Sequence, residues 1–198
     1  MNTNSIVLIA LAYFLGSIPF AILTSRFFHL KDPRSYGSKN PGATNVMRSG
    51  HRTAALLTLL GDALKGWLVV FFALRYMSEW GITSYTVAAI ALVVVLGHIF
   101  PIFLKFQGGK GVATAIGVIF ALSPQIALIM CILWIILVLA TKVSALGALV
   151  VCMLCPFLSL YFVDQPAYQF VLSLISIIVL VRHRENITQI LNSRRAKR

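Results

Sequence analysis

The chain has 198 residues, of which 59% are apolar and 11% are charged, and its mean hydropathy is +0.90. A soluble globule of this size needs more charged surface, so the composition excludes one and predicts an all-α integral membrane protein. The 17 basic residues outnumber the 5 acidic ones, but they lie beside apolar runs rather than on an aromatic-studded face. We therefore expect no nucleic acid partner. We expect the basic residues to contact the anionic head groups of a lipid bilayer and to bind an anionic substrate.

The first apolar run covers residues 5–25, which carry no charge and suffice to cross about 30 Å of hydrocarbon as one retained helix. A polar, basic loop follows at residues 36–52. It holds the cations Lys39, Arg48 and Arg52 among glycines and asparagines, with no carboxylate. Hydrogen-bond donors near fixed positive charge suit an anion. The cytosolic bias of Lys and Arg explains the same cations, so this loop alone leaves both interpretations open.

The second apolar run, residues 53–74, contains an acidic and a basic residue. Asp62 and Lys65 are three positions apart, so they share one face of a helix and can neutralise each other. A charge inside the membrane costs on the order of 3 kcal/mol, which makes the pair a candidate functional feature. A structural ion pair facing the bundle is the alternative.

The third apolar run, residues 85–104, leads into a second polar loop at residues 105–111. Three glycines around Lys110 allow close backbone approach, and N–H groups beside one lysine predict a phosphate cradle at the start of the next helix. The spacing is not that of a nucleotide-binding P-loop. A flexible connector is the alternative.

The next apolar run, residues 112–140, is about 43 Å long if helical, too long for one untilted crossing. A break at residues 123–125, Ser-Pro-Gln, makes two short crossings. Two further apolar runs follow at residues 145–163 and 167–181. The break then places Lys142 and the basic tail on the same side as both polar loops, and Asp164 on the other.

The predicted architecture is about seven transmembrane helices, some short or broken, with the N-terminus outside and the C-terminus in the cytosol. Every basic residue except Lys65 and Arg75 then lies on the cytosolic side. Five spans, with residues 112–140 re-entrant, remain the alternative. The three cysteines lie inside apolar runs, where we expect them to be buried and unpaired.

A third basic cluster, Arg-His-Arg-Glu-Asn at residues 182–186, stands where the last run leaves the bilayer. His183 and Asn186 are three apart, so they share a face if the helix continues. A basic anchor after the last span is the alternative.

Four segments together resemble the bacterial acyl-phosphate:glycerol-3-phosphate acyltransferases. They are GSIPF at 16–20, GSKNPGATNVMR at 37–48, GHIFPIFLKFQGGKGVAT at 97–114 and RHRENI at 182–187. The resemblance covers almost the whole chain and implies one transmembrane acyltransferase domain over residues 1–198. Two positions depart from the family pattern: Lys39 stands where glycine is commoner, and Gln107 where a basic residue is common.

The resemblance implies transfer of a fatty acyl group from acyl phosphate to the 1-hydroxyl of glycerol 3-phosphate, giving lysophosphatidic acid and phosphate. It also implies the bacterial cytoplasmic membrane with a cytosolic site, and no metal, cofactor or obligatory protein partner. The predicted catalytic residues are Ser38, Arg48, Lys110, His183 and Asn186. The predicted substrate-binding residues are Gly37, Asn40, Gly42, Thr44, Asn45, Gly108, Gly109, Gly111 and, from the topology, Thr141 and Ser144.

Acyl phosphate is a mixed anhydride with a good leaving group, so no covalent nucleophile is required. The hydroxyl proton goes either to the donor's phosphate or to neutral His183. For Ser38 a hydrogen-bonding role is favoured over an acyl-enzyme. A membrane transporter for an organic anion is the competing class, although we find no internal repeat. A purely structural membrane protein would leave the three polar clusters unexplained.

Overall fold

The computed structural model describes residues 2–195, with side chains as far as residue 192, and all regular structure in that part is helical. Its α-helices are α1 (Thr3–Gly16), α2 (Phe20–Phe27), α3 (Ala43–Met47), α4 (Arg52–Arg75), α5 (Ser84–Ile99), α6 (Val112–Leu122), α7 (Pro124–Thr141), α8 (Ser144–Phe162), α9 (Pro166–Arg182) and α10 (Arg184–Arg195). Short 3-10 turns, Pro33–Ser35 and Ile102–Leu104, precede the two polar loops. Lys197 and Arg198 of the predicted basic tail lie outside the described residues.

The apolar helices confirm an integral membrane protein of the all-α class. Among the described residues, four helices are long and apolar enough to cross a membrane alone, and up to six if each of two bent pairs is one crossing. Helix α6 has 11 residues and is shorter than a full crossing. The count of seven and the orientation of the termini therefore stay predictions.

The first apolar run is broken, so the single helix predicted over residues 5–25 is wrong. Helices α1 and α2 are bent by 41° around residues 17–19. Pro19 has no N–H with which to continue the helix, and the N–H of Ile22 bonds to the Pro19 carbonyl at 3.0 Å. The carbonyl of Ile18 is thereby released to a partner on another helix.

The long run of residues 112–140 is interrupted where the sequence predicts. Helix α6 ends at Leu122 and α7 begins at Pro124, with Ser123 in an extended conformation between them. Proline is well tolerated in the first turn of a helix, where its missing N–H has no intrahelical partner. The break at residues 123–125 is thus confirmed.

Glycines bring α4 and α6 into backbone contact. A Cβ on Gly117 would lie 1.9 Å from the carbonyl oxygen of Ala63, and one on Gly66 would lie 2.3 Å from that of Thr114. Small residues permit this approach between membrane helices, which pack without a hydrophobic force between them. The largest buried apolar cluster surrounds α5, so α5 forms the centre of the bundle.

Helices α9 and α10 meet at a bend of 52°. His183 lies between them, its N–H bonded to the Leu180 carbonyl at 3.0 Å in a tightened turn that ends α9. A straight continuation of α9 through Asn186, on which the shared helix face depended, is therefore wrong. The two residues reach the same region through the bend instead.

Candidate active site

The second loop and the bend between α9 and α10 meet at one end of the bundle. Arg182 Nη2 donates to the Gly109 carbonyl at 3.4 Å. Lys110 Nζ contacts the amide oxygen of Asn186. Arg48 of the first loop is close enough to act electrostatically on Lys110. The structure thus brings the three predicted basic clusters together.

Asn45 organises the first loop from inside. Its buried side chain accepts from the Ser38 N–H at 3.0 Å and donates to the carbonyls of Pro33, at 2.6 Å, and Tyr36, at 3.2 Å. Gly37 has a φ of +57°, and a Cβ there would lie 2.3 Å from Asn45 Oδ1. Asn45, predicted to bind substrate, therefore uses its amide within the loop and positions Ser38.

The other first-loop residues lie on its open side. Arg48 is exposed beside Gly37, where a Cβ would lie 3.1 Å from the Arg48 guanidinium. Gly42 caps α3, and the amide of Asn40 lies next to it. Lys39 has a φ of +54°, a left-handed conformation that glycine adopts without strain. The departure from the family's commoner glycine thus falls where the backbone favours glycine.

The second loop folds back onto the end of α5. The N–H groups of Gly108 and Gly109 donate to the carbonyls of Ile99, at 3.1 Å, and His98, at 3.2 Å. A Cβ on Gly108 would lie 2.1 Å from the His98 carbonyl oxygen, and one on Gly109 would lie 2.2 Å from His98 Nε2. These two N–H groups are already used, so a cradle built from them is wrong. Substrate contact by the two glycines stays a prediction.

The start of α6 offers backbone donors beside the lysine. Gly111 caps the helix with a φ of +91°, a conformation that favours glycine. The N–H groups of a helix's first turn have no acceptor within the helix, and its dipole attracts an anion. Lys110 directly precedes this cap. Backbone donors and an ammonium group therefore stand together.

Lys110 is half-buried among charged groups. Burial lowers the pKa of its ammonium group, Glu185 opposes that shift, and Arg182 and Arg48 add to it. Three cations thus converge with one carboxylate nearby. Such a site gains free energy by binding an anion.

His183 is buried with a defined ring orientation. Its Nδ1 lies 2.8 Å from the Val179 carbonyl, which can only accept, so Nδ1 carries the proton and Nε2 has a lone pair. The ring is therefore arranged to accept a proton or a hydrogen bond at Nε2.

Arg182 was not predicted as a site residue. Its guanidinium lies 5.6 Å from the Phe100 ring centroid, and its buried Nε has no hydrogen-bond acceptor among the described residues. A buried guanidinium N–H without an acceptor is costly and suits an anionic ligand. The sequence could have indicated this residue, because Arg182 is the first residue of the third basic cluster at residues 182–186.

The turn between α7 and α8 contributes one of its two predicted residues. The Ser144 hydroxyl lies 3.3 Å from that of Thr44 and so joins α8 to the first loop. The Thr141 hydroxyl donates to Leu137 at 2.6 Å and accepts from the Val143 N–H at 3.2 Å. Thr141 therefore forms its hydrogen bonds within its own turn.

A buried ion pair lies beneath the second loop. Lys65 Nζ is 2.8 Å from Asp62 Oδ1, 2.9 Å from the Ile18 carbonyl oxygen and 3.0 Å from His98 Nδ1. Pairing of Asp62 with Lys65 is confirmed, whereas His98 was not expected there. Among the described residues, no group of three or more His, Cys, Asp or Glu side chains could hold a metal ion.

Comparison with known proteins identifies the family. The family described as "Glycerol-3-phosphate acyltransferase" matches residues 6–193. The chain is 44% identical over 189 residues to a glycerol-3-phosphate acyltransferase of Neisseria meningitidis serogroup C (strain 053442), covering 96% of this chain and 94% of that protein. The chain belongs to this family. A further member, from Nitrosospira multiformis, is 48% identical over 182 residues, with 92% and 90% covered.

Two crystal structures within the family share the fold. Both are of PlsY (YgiH), an integral membrane glycerol 3-phosphate acyltransferase. Each match covers 96% of this chain and 93% of the PlsY chain. The glycerol 3-phosphate form has a TM-score of 0.87 at 34% identity, and the lysophosphatidic acid form 0.86 at 33%. The resemblance seen in the sequence motifs is therefore confirmed at the level of family and fold.

Proposed function

We propose that this chain transfers a fatty acyl group from acyl phosphate to the 1-hydroxyl of glycerol 3-phosphate. The products are lysophosphatidic acid and phosphate. The observation that carries this proposal is the convergence of Arg48, Lys110 and Arg182 beside neutral His183 at one end of an apolar bundle. Both substrates carry a phosphate, and one carries a chain that belongs in lipid.

The cations bind and orient the phosphate groups. Arg182 offers its buried Nε–H, and Arg48 offers a planar fork that matches phosphate oxygens. Lys110 supplies a point charge, which its contact with Asn186 holds in place. Positioning and charge stabilisation of this kind lower the barrier without a covalent intermediate.

The transfer itself needs one proton acceptor. The 1-hydroxyl oxygen attacks the acyl carbonyl carbon, the carbon–oxygen bond to phosphate breaks, and phosphate leaves with the bonding electrons. The hydroxyl proton passes to that phosphate or to Nε2 of His183. Within the described residues no hydrogen bond joins the Ser38 hydroxyl to a histidine, which favours a binding role for Ser38 over an acyl-enzyme.

The acyl chain lies along the apolar helix faces beside the site. A small apolar cavity of about 10 Å³ marks the gap between α6, α7, α8 and α9 there. Its lining includes Val112, Ile116, Met130, Val151, Cys152, Ile175 and Val179. Val112 follows the cap of α6, and the Val179 carbonyl holds His183. The cavity therefore begins next to the groups assigned to the phosphate.

Acyl phosphate is the proposed donor because the chain lacks features that larger donors require. No histidine is followed five residues later by aspartate, the H-x-x-x-x-D pair common in acyltransferases that use acyl-CoA or acyl carrier protein. The short polar loops also leave little surface for a nucleotide or a carrier protein. A phosphate head fits between them.

The direct test uses purified protein in detergent with acyl phosphate and glycerol 3-phosphate. We expect lysophosphatidic acid and phosphate in equal amounts, and no turnover with acyl-CoA that is free of acyl phosphate. Comparable rates with acyl-CoA would reject the donor. No ester product with either donor would reject the acyltransferase, and uptake of glycerol 3-phosphate by vesicles without ester formation would favour the transporter.

The proposed location is the bacterial cytoplasmic membrane, with the site facing the cytosol. Reporter domains fused after Arg48, Lys110, Lys142 and Arg198 are expected in the cytosol, and one fused after Asp164 outside. An external Lys142 with a cytosolic C-terminus would reject the seven-helix topology in favour of five spans.

A further inference from the structure

The His98 side chain is the support on which the second loop rests. A Cβ on Gly109 would lie 2.2 Å from His98 Nε2, so the glycine backbone lies directly against the ring. The Gly109 N–H bonds to the His98 carbonyl, and its own carbonyl accepts from Arg182. Lys110 is the residue after Gly109, and Arg182 is bonded to the Gly109 carbonyl. A shift of the His98 ring therefore moves the positive charges of both Lys110 and Arg182.

Lys65 fixes the orientation of that ring. Lys65 Nζ lies 2.8 Å from Asp62 Oδ1 in an ion pair, 2.9 Å from the Ile18 carbonyl oxygen and 3.0 Å from His98 Nδ1. His98 Nδ1 also lies 3.3 Å from Asp62 Oδ1. Both charged groups contact the same ring nitrogen, so they hold the opposite edge of the ring, with Nε2, against Gly109.

Packing alone does not explain an ion pair in this place. Apolar residues of similar volume commonly stabilise a buried site as well as a charge pair does, and charges within a membrane are expensive. The Asp62–Lys65 pair instead links three segments. Helix α4 carries it, Ile18 is in the break between α1 and α2, and His98 is near the end of α5.

We propose that Asp62, Lys65 and His98 are positioning residues for acyl transfer. They hold the second loop so that Lys110 and Arg182 meet the substrate phosphate. This inference rests on the proposed function, which assigns those two cations to phosphate. It gives the intramembrane pair a role in the geometry of substrate binding.

The test exploits the contact between Gly109 and the His98 ring. In His98→Asn, the amide group takes the place of Nδ1 beside Lys65 and Asp62, and the shorter side chain leaves space below the loop. Gly109→Ala adds the methyl group that the ring excludes. We compare the wild type, both single variants and the double variant for kcat, for KM of each substrate and for thermal midpoint in detergent.

We expect Gly109→Ala to lower kcat/KM about 100-fold, mainly through a higher KM for a phosphorylated substrate. His98→Asn should lower it about tenfold. The double variant should equal His98→Asn, a recovery of about tenfold over Gly109→Ala. Losses that multiply in the double variant would overturn the proposal. If neither protein that carries Gly109→Ala accumulates, unchanged KM values in His98→Asn would overturn it.

Gly147→Ala is the matched control, because its methyl group meets Trp134 rather than His98 or α4. It should lower the thermal midpoint equally with and without His98→Asn. Rescue of Gly147→Ala by His98→Asn would show a non-specific effect and reject the proposal. A wild-type protein without activity would reject the proposed function, whereas an active wild type without coupling rejects only the positioning role.

Discussion

The two basic, glycine-containing loops look alike in sequence and are built in different ways. The first, residues 36–52, is held from within by the Asn45 amide, and its cations are largely exposed. The second, residues 105–111, is tied through Gly108 and Gly109 to the carbonyls of α5 and rests on His98. The first loop is braced mainly by one of its own side chains, whereas the second is braced by the backbone and a side chain of α5.

Glycine meets a different neighbour in each loop. Gly37 combines a positive φ with a close approach to Asn45 of its own loop, whereas Gly109 has no Cβ where the His98 ring of α5 comes close. A loop that depends on contact with a rigid bundle loses its geometry when one atom is added. We therefore expect the second loop to be the less tolerant of the two.

Lys110→Met should have the largest effect, because it removes a half-buried cation from the second loop. Loss of one charge-stabilising donor predicts a fall in kcat/KM on the order of 10³-fold. Lys105→Met, an exposed lysine of the same loop, should stay within about twofold of wild type. Similar losses in the two variants would mean that the loop's charge matters only in sum.

Asn45→Asp tests the internal organisation of the first loop. Aspartate can still accept from the Ser38 N–H, but it cannot donate to the carbonyls of Pro33 and Tyr36. Two unpaired acceptors cost about 1–3 kcal/mol each, so we expect a lower thermal midpoint and a fall in kcat/KM of about 30-fold. Asn4→Asp loses an exposed hydrogen bond to Trp80 and should keep full activity. An unchanged midpoint in Asn45→Asp would contradict internal support of the loop.

The pH dependence should report the buried lysine. Burial lowers the pKa of Lys110, so its cation is lost at a lower pH than that of a free lysine. We expect kcat/KM to fall about tenfold per pH unit above that lowered pKa. Lys110→Arg keeps its charge and should move the alkaline limb upward. A limb at the same pH in that variant would assign it to another group.

Lys39→Gly should have the smallest effect. Relief of a left-handed lysine predicts a gain of about 0.5 kcal/mol in the free energy of unfolding, with activity within about twofold of wild type. Lys31→Gly, at an exposed position that lacks a positive φ, should lower stability instead. A large loss of activity in Lys39→Gly would show that its charge takes part in binding.

The sequence predicts helix breaks well where polar residues mark them. Ser123 and Pro124 stand between two apolar runs and interrupt the helix as expected. The break at Pro19 was missed because the run around it is uncharged and long enough for one crossing. Hydropathy reports where a chain meets lipid, but it does not report which backbone groups pair.

The sequence predicted which residues form the candidate site, but it did not predict the hydrogen bonds and contacts that join them. The clusters that hold Arg48, Lys110 and His183 do come together, because topology places all of them at one end. The contact between Lys65 and His98 joins residues 33 apart on different helices, and no local pattern indicates it. Likewise, the used N–H groups of Gly108 and Gly109 follow from how the loop packs on α5.

The apolar cavity lies beside the cation cluster, and this position decides which measure of donor concentration controls the rate. Under the proposed reaction, glycerol 3-phosphate arrives from water, while the acyl donor reaches the apolar helix faces beside the site from the bilayer. Donor supply then follows its mole fraction among the lipids rather than its amount per volume. Diluting the protein into more lipid at constant donor should slow the reaction, even though no aqueous concentration changes.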